Sequence, residues 1–272
     1  MKLLLYFIHF ILITFFIIPH KTYAQSLPSH GTIRALVIMF NFPDNNSEPY
    51  SAAQITDLVT GPQNSMRSYY QEVSFGKLDI SVNVVGWYTI SESSVDCGST
   101  NQYNYLADNA AKAAGVNLDD YDARMYLFPY TPSCGYGGIG SGNQLVINGT
   151  IDLYTWVHEF GHTFGLHHAA SLDCFGKQIG NYFQDCAINR YGDEYDVMGQ
   201  PYPGIYHLNA AFKTKLQWIT HPSVAHVTGN GIYTIYSLEQ ATNQLQSLVI
   251  DKHDTNDYYF IEYRQPTGYD SR

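Results

Sequence analysis

The most constraining feature of the sequence is a set of histidines at fixed spacing between residues 158 and 168. The segment reads H-E-x-x-H-x-x-G-x-x-H, with His158, Glu159, His162, Gly165 and His168 at the specified positions. Four residues carry a helix through slightly more than one turn, so His158 and His162 are expected on one helical face, about 6 Å apart. Because two imidazoles at that distance can share one metal ion, we expect a helix whose histidine face opens into a cavity.

Gly165 explains how a third histidine can join the first two. Glycine adopts a left-handed backbone conformation without a steric penalty, which ends a helix and turns the chain. We therefore expect His168 to return to the metal, and a register in which His167 replaces it is the alternative. Three neutral imidazoles that leave a fourth position for water are typical of catalytic zinc. Glu159, beside the first ligand, is then the expected general base for that water.

A second signal is Met198, which stands between Val197 and Gly199 in a turn-like segment. With the histidine motif, this segment resembles the metzincin zinc peptidases, in which a methionine turn forms a hydrophobic floor beneath three histidine ligands. The resemblance implies that Met198 packs below the zinc site and does not bind the ion. Some metzincins place a zinc-contacting tyrosine two residues after the methionine. Here that position is Gln200, which leaves Tyr202 as a candidate hydrogen-bond donor to the transition state, with an ordinary loop tyrosine as the alternative.

Within the metzincins, four further segments resemble the gametolysin family of secreted metallopeptidases. They lie at residues 65–78, 191–193, 208–216 and 262–266. The resemblance implies an α+β fold with a metzincin-like domain, a mixed twisted sheet with packed helices. It also implies a secreted zinc endopeptidase that hydrolyses peptide bonds of extracellular proteins or glycoproteins. Secreted metzincins often carry a propeptide cysteine that blocks the zinc, but the first cysteine here is Cys97, so we expect no thiol-switch latency.

The N-terminal segment predicts export. Lys2 precedes an apolar run over residues 3–18, and the small-residue ending at Ala24 is typical of a signal-peptide cleavage site. An uncleaved membrane anchor is the alternative, although the run is shorter than the roughly 20 residues that a bilayer requires. Cleavage would remove two lysines and no acid, which moves the net charge from −10 to −12. We expect a protein with no membrane contact after cleavage.

The four cysteines agree with an exported protein. An even, small number in such a chain predicts disulfides, with three possible pairings. The nearest-neighbour pairing closes the shortest loops and is our prediction: Cys97 with Cys134, and Cys174 with Cys186. Zinc ligation by cysteine is less favoured because no two of the four stand at zinc-knuckle spacing.

Hydrophobic periodicity and capping residues predict the remaining elements. Strands are expected at 32–42, 78–90, 124–129 and 144–147, and helices at 51–58, 65–71, 100–114, 152–165 and 208–218. The glycine-rich segment 135–142 is expected to be a plain loop, and residues 144–147 an edge strand to which an extended peptide can add. Beyond residue 220, turn signals separate short strands.

These patterns predict three segments: a signal peptide at 1–24, a catalytic domain at 25–220 and a β-rich segment at 221–272 that ends just after a strand-like stretch. Lys and Arg number 14 against 24 acids, and no basic run exists, which disfavours a nucleic-acid partner. We expect a monomer that acts on protein or peptide substrates. Two other classes stay open on sequence alone: a zinc hydrolase for amides of glycans or small molecules, and a secreted binding module with a relic metal site.

Overall fold

A computed structural model describes residues 26–95, 97, 100–176, 185–200, 204–252 and 257–271 of the 272-residue chain. Its strands are β1 (Gly31–Asn41), β2 (Leu78–Thr89), β3 (Ala123–Phe128), β4 (Gly138–Ser141), β5 (Gln144–Asn148), β6 (Ser171–Asp173), β7 (Ala187–Asn189), β8 (Val224–His226), β9 (Ser247–Lys252) and β10 (Asp257–Glu262). Its helices are α1 (Ala52–Thr60), α2 (Met66–Val73), α3 (Thr100–Ala113), α4 (Leu153–Thr163) and α5 (Ala210–Lys215). The mixed α and β content agrees with the sequence prediction.

A five-stranded mixed sheet organises the first part of the chain. Its order is β2-β1-β3-β5-β4, with β4 antiparallel to β5 and the other neighbours parallel. The interior strand β1 reads as a continuous apolar run because both of its faces are covered. Val37 and its alternate neighbours pack with residues from α1, α2 and α4, whereas Leu36 and Ile38 pack with residues from α3.

Side-chain caps fix where the helices begin. Ser51 and Ser65 each form a capping box at the start of α1 and α2, and Asp152 accepts a hydrogen bond from Thr155 N at the start of α4. The helix predicted at 208–218 is shorter, because Asn209 caps α5 and Gln217 adopts a left-handed conformation (φ 58°) after its end. The predicted helix was too long because apolar residues before Asn209 and after Lys215 were included in it.

The glycine-rich segment corrects two predictions. Residues 138–141 form strand β4 and not a plain loop, and β4 lies at the edge of the sheet. Residues 144–147, predicted as the edge, pair on both sides and are interior. Glycines carry no hydrophobic alternation, so the sequence pattern of a strand is missing here.

The later part of the chain holds a second sheet of order β10-β9-β8. β8 runs parallel to β9, and β9 runs antiparallel to β10. The turn signal at Asn230-Gly231 is not followed by a strand, since the next one is β9 at Ser247. Tyr269 packs into the same core cluster as α2 and α4, and Tyr269 N donates to Glu72 Oε1 at 2.6 Å. The division predicted at residue 220 stays a prediction.

A buried polar cluster joins α2, α5 and the C-terminal residues. His207 lies 2.9 Å from Glu72 Oε1 through Nε2 and 3.0 Å from Lys213 Nζ through Nδ1. Its backbone N–H donates to Asp270 Oδ1 at 2.7 Å. Lys213 is fully buried, and burial lowers the pKa of its amine to about 7. The cluster therefore fixes α5 against α2 by polar contacts inside the protein.

Both predicted disulfides are confirmed. Cys97 pairs with Cys134 and Cys174 pairs with Cys186, and the described part of the chain contains no free cysteine. The proposed signal peptide, residues 1–24, lies outside the described residues. In the described ranges, no helix has the length and apolarity that a membrane crossing requires.

Candidate metal centre

Helix α4 presents two of the three histidines. Trp156, Val157 and Phe160 anchor the helix in the main core, which leaves the opposite face for the cleft. His158 and His162, one turn apart, lie on that face with ring centroids 5.0 Å apart. The spacing predicted from the sequence is therefore realised on a helix fixed by its apolar side.

The chain turns after the helix and brings the third histidine back. Gly165 has φ 76°, a conformation that L side chains rarely adopt, and its N–H donates to His162 O at 2.9 Å. His168 then faces the helix, with its Nε2 3.2 Å from His162 Nε2. Ligand atoms of His158, His162 and His168 all lie within 4.8 Å of one another. His167 is exposed and outside this group, so the alternative register is not the one adopted.

The two helical histidines are oriented by backbone carbonyls. His158 Nδ1 lies 2.8 Å from Val197 O, and His162 Nδ1 lies 2.8 Å from Leu166 O. A proton on each Nδ1 satisfies the carbonyl and leaves the Nε2 lone pair for a metal. Burial lowers the pKa of His158 to about 4 and also lowers the pKa values of His162 and His168. Three neutral imidazoles with converging nitrogens fit a zinc ion.

Glu159 enters the same cleft from the helix side. Strand β4 lies close against α4. A Cβ added at Gly138 would be 3.2 Å from Glu159 Cδ, and a Cβ added at Gly140 would be 3.1 Å from His162 Cβ. The Glu159 carboxylate accepts a hydrogen bond from the Gly140 N–H. Burial raises the pKa of Glu159 to about 7, and the Gly140 hydrogen bond opposes part of that increase. The close approach of β4 depends on glycine.

Met198 packs against helix α4. Its side chain is fully buried in the main core, and its Cε is 3.2 Å from where a Cβ on Gly161 would be. Asp196 holds the turn: its Oδ1 accepts from Met198 N and its Oδ2 from Asn209 N, both at 2.7 Å. Burial raises the pKa of Asp196 to about 7. Asp196 was not among the predicted site residues, although an aspartate two residues before a turn methionine is a recognisable turn signal.

Three tyrosines line the cleft of about 320 Å³ that contains His158 and Glu159: Tyr136, Tyr154 and Tyr191. Tyr154 has a structural role, because its hydroxyl donates a hydrogen bond to Gly199 O at 2.7 Å. Burial raises the pKa of this hydroxyl to about 12. The Tyr191 ring lies 3.9 Å, centroid to centroid, from the ring of His168. Sequence reasoning assigned Tyr191 no role at the site. Tyr202 lies outside the described residues, and Gln200 is exposed.

Comparisons with known proteins give limited similarity. No family model matches the chain. Serralysin of Photorhabdus laumondii is 28% identical over 123 residues, which is 38% of this chain and 26% of that protein. The chain thus matches about a quarter of the length of that relative. The crystal structure of archaemetzincin from Methanopyrus kandleri aligns over 70% of this chain and 94% of that one, with 16% identity and a TM-score of 0.34, too low to assign the fold.

Proposed function

We propose that the protein is a secreted zinc-dependent endopeptidase of the metzincin type that hydrolyses peptide bonds of extracellular proteins or glycoproteins. The observation that carries the proposal is the convergence of nitrogens from His158, His162 and His168 next to a cleft that His158 and Glu159 both line. The partial similarity to serralysin supports a metallopeptidase over other zinc hydrolases. The gametolysin assignment rests on the sequence resemblance alone.

Each residue of the site has a distinct role in this proposal. His158, His162 and His168 would hold the zinc ion, which polarises a carbonyl and makes a bound water more acidic. Glu159 accepts the proton of the attacking water and later donates it to the leaving amine. The Gly140 N–H holds the Glu159 carboxylate in place, so the base is oriented before substrate arrives.

Strand β4 offers the substrate-binding edge. In the described part of the chain no strand pairs with its outer edge. An extended peptide can add there through main-chain hydrogen bonds, and Ile139, 39% exposed, lies in the strand to contact it. Because β4 also packs on α4, a peptide bound at this edge lies near Glu159. The proposed peptide-binding edge is therefore β4, and not residues 144–147 as the sequence predicted.

Two variants and one control variant test the assignment. Glu159→Gln should bind zinc at one equivalent, measured by metal analysis, and lose peptide hydrolysis. His158→Ala should lose the metal, whereas His167→Ala, which changes an exposed neighbouring histidine, should keep both metal and activity. Full proteolysis by Glu159→Gln would show that the general-base assignment is wrong. Zinc binding with cleavage of small amides but not of unfolded protein would refute the peptidase proposal.

Secretion is a separate part of the proposal. The two disulfides are consistent with an exported protein. We expect the exported product to begin at Gln25 and to be a monomer with no nucleic-acid partner. N-terminal sequencing and light scattering of the secreted protein test these points, and a product that retains residues 1–24 would contradict signal cleavage.

A further inference from the structure

The third histidine is held differently from the other two. His158 and His162 belong to α4, and each has a backbone carbonyl against its Nδ1. His168 follows the helix, and within the described ranges its ring is hydrogen-bonded through Nε2 to His162 Nε2, with no hydrogen bond between its Nδ1 and a carbonyl. Apart from the other two histidine rings, at 4.8 and 5.3 Å, the ring packed against it is that of Tyr191, at a centroid distance of 3.9 Å and an interplanar angle of 34°. The same tyrosine ring is 6.0 Å from the His158 ring and nearly parallel to it, at 22°.

A disulfide-linked pair of strands places Tyr191 there. β6 starts three residues after His168, and β7 ends two residues before Tyr191. Ser171 pairs with Asn189 where β6 begins and β7 ends, so the two rings emerge side by side. The Cys174–Cys186 disulfide joins the opposite ends of the same two strands.

The backbone of Tyr191 is also fixed on its other side. Its carbonyl accepts a hydrogen bond from Gln200 N at 3.0 Å, directly after the Met198 turn. The next residue, Gly192, lies so close to β6 that a Cβ there would be 2.8 Å from Ser171 Cβ. The tyrosine is therefore held between the strand pair and the turn below the metal centre, although its side chain is 42% exposed in the cleft.

We propose that Tyr191 is a positioning residue that holds His168 in its metal-binding orientation by ring packing, and that the Cys174–Cys186 disulfide keeps Tyr191 in place. A histidine on a loop loses rotamer freedom when it binds a metal, and packing that restricts the ring beforehand reduces that cost. Changes in groups that orient a metal ligand typically alter metal affinity about 10–100-fold. The inference rests on the histidine metal centre of the proposed function, but not on peptide hydrolysis.

The test measures zinc release and not activity. The rate of zinc transfer to a chromophoric chelator should increase about 10-fold or more in Tyr191→Ala. Tyr191→Phe keeps the ring and should stay within about 2-fold of the wild type, because ring packing and not the hydroxyl is responsible. Tyr195→Ala is the matched control, since Tyr195 is an exposed tyrosine in the same segment whose ring contacts Tyr206.

Two further measurements separate positioning from general destabilisation. Cobalt substituted at the site reports the ligand sphere through its visible spectrum, which should change in Tyr191→Ala and not in Tyr191→Phe. The paired variant Cys174→Ser with Cys186→Ser leaves Tyr191 intact and should also speed zinc release. A wild-type release rate in Tyr191→Ala, or equal losses in the Ala and Phe variants, would overturn the proposal. Zinc retention by His158→Ala would instead refute the metal centre itself.

Discussion

The contact between β4 and α4 allows a sharp test through Gly140. A Cβ at this position would be 2.7 Å from the carbonyl carbon of Glu159, and closer still to its oxygen. Ordinary contacts of this kind begin at 3.4 Å, so β4 would have to withdraw from the helix by about 0.7 Å or more. Because the obstacle is helix backbone, no side-chain rotation relieves the clash. We therefore expect Gly140→Ala to displace the edge strand.

The displacement should affect stability moderately and catalysis strongly. Overpacking of a well-packed contact costs about 1–3 kcal/mol, which corresponds to a decrease in melting temperature of several °C for a domain of this size. The Glu159 carboxylate would lose its fixed position against the Gly140 N–H, and the substrate edge would move with the strand. A misplacement of about 1 Å at a reacting centre can lower the rate about 100-fold. Zinc content should stay at the wild-type level, since all three ligands are unchanged.

Gly137→Ala is the matched control in the same glycine-rich segment. A Cβ there would meet Thr155 Cγ2 at 3.9 Å, which is an ordinary contact. The assays are thermal unfolding, zinc analysis and kcat/KM on an unstructured peptide, applied to both variants. We expect Gly137→Ala to behave like the wild type. Equal activity of Gly140→Ala and Gly137→Ala would refute the view that the glycine contact positions the base.

Substitutions at three further positions test other parts of the structure. Met198→Ala should lower the free energy of unfolding by about 2–5 kcal/mol because it leaves a cavity below α4, yet retain zinc in metal analysis; loss of the metal at unchanged stability would show that Met198 is more than a floor. Gly165→Ala should cost about 1–2 kcal/mol in urea unfolding because of its left-handed backbone, and weaken zinc binding, whereas Gly165→Asn should lose less; no effect on zinc would separate the turn from His168. For Lys213→Met, the free energy of unfolding is compared with that of the wild type as a function of pH. Burial lowers the pKa of Lys213 to about 7 from the ordinary 10.5. Between these two pH values, the unfolded wild-type chain therefore binds more protons than the folded chain. The wild type should therefore gain stability relative to the variant as pH rises from 7 to 10, by at most about 1.4 kcal/mol per pH unit, and parallel curves in chemical denaturation would contradict a neutral buried amine.

Local signals in the sequence were enough to predict much of the centre. The cap at Asp152, the four-residue spacing of His158 and His162 and the turn at Gly165 each act within a few residues, so their consequences can be worked out from the chain alone. The disulfide pairing was also predictable, because short loops are closed most readily. These features place the three histidines together without knowledge of the rest of the fold.

The parts that were missed depend on partners distant in sequence. Strand β4 has no strand-like side-chain pattern, and its place becomes clear only when its glycines are seen against α4. Tyr191 reads as one of 24 tyrosines until the β6–β7 pair brings it onto His168. Asp196 has one local contact, with Met198 N, but its second partner, the Asn209 N–H, lies 13 residues away. The ring contact of Tyr191 and the two hydrogen bonds accepted by Asp196 cannot be predicted from the hydrophobic periodicity of the sequence.

The Asp196 carboxylate links the metal centre to the later part of the chain. One oxygen holds the Met198 turn, whose Val197 carbonyl orients His158, and the other accepts the N–H of Asn209, the cap of α5. α5 in turn carries Lys213 into the buried cluster with His207 and Glu72, and Glu72 belongs to α2, which packs on α4. Helix α4 is thus connected to α5 in two ways: through the Met198 turn and Asp196, and through α2 and the buried cluster. It follows that the orientation of His158 depends on contacts formed after residue 200, and not on the histidine motif alone.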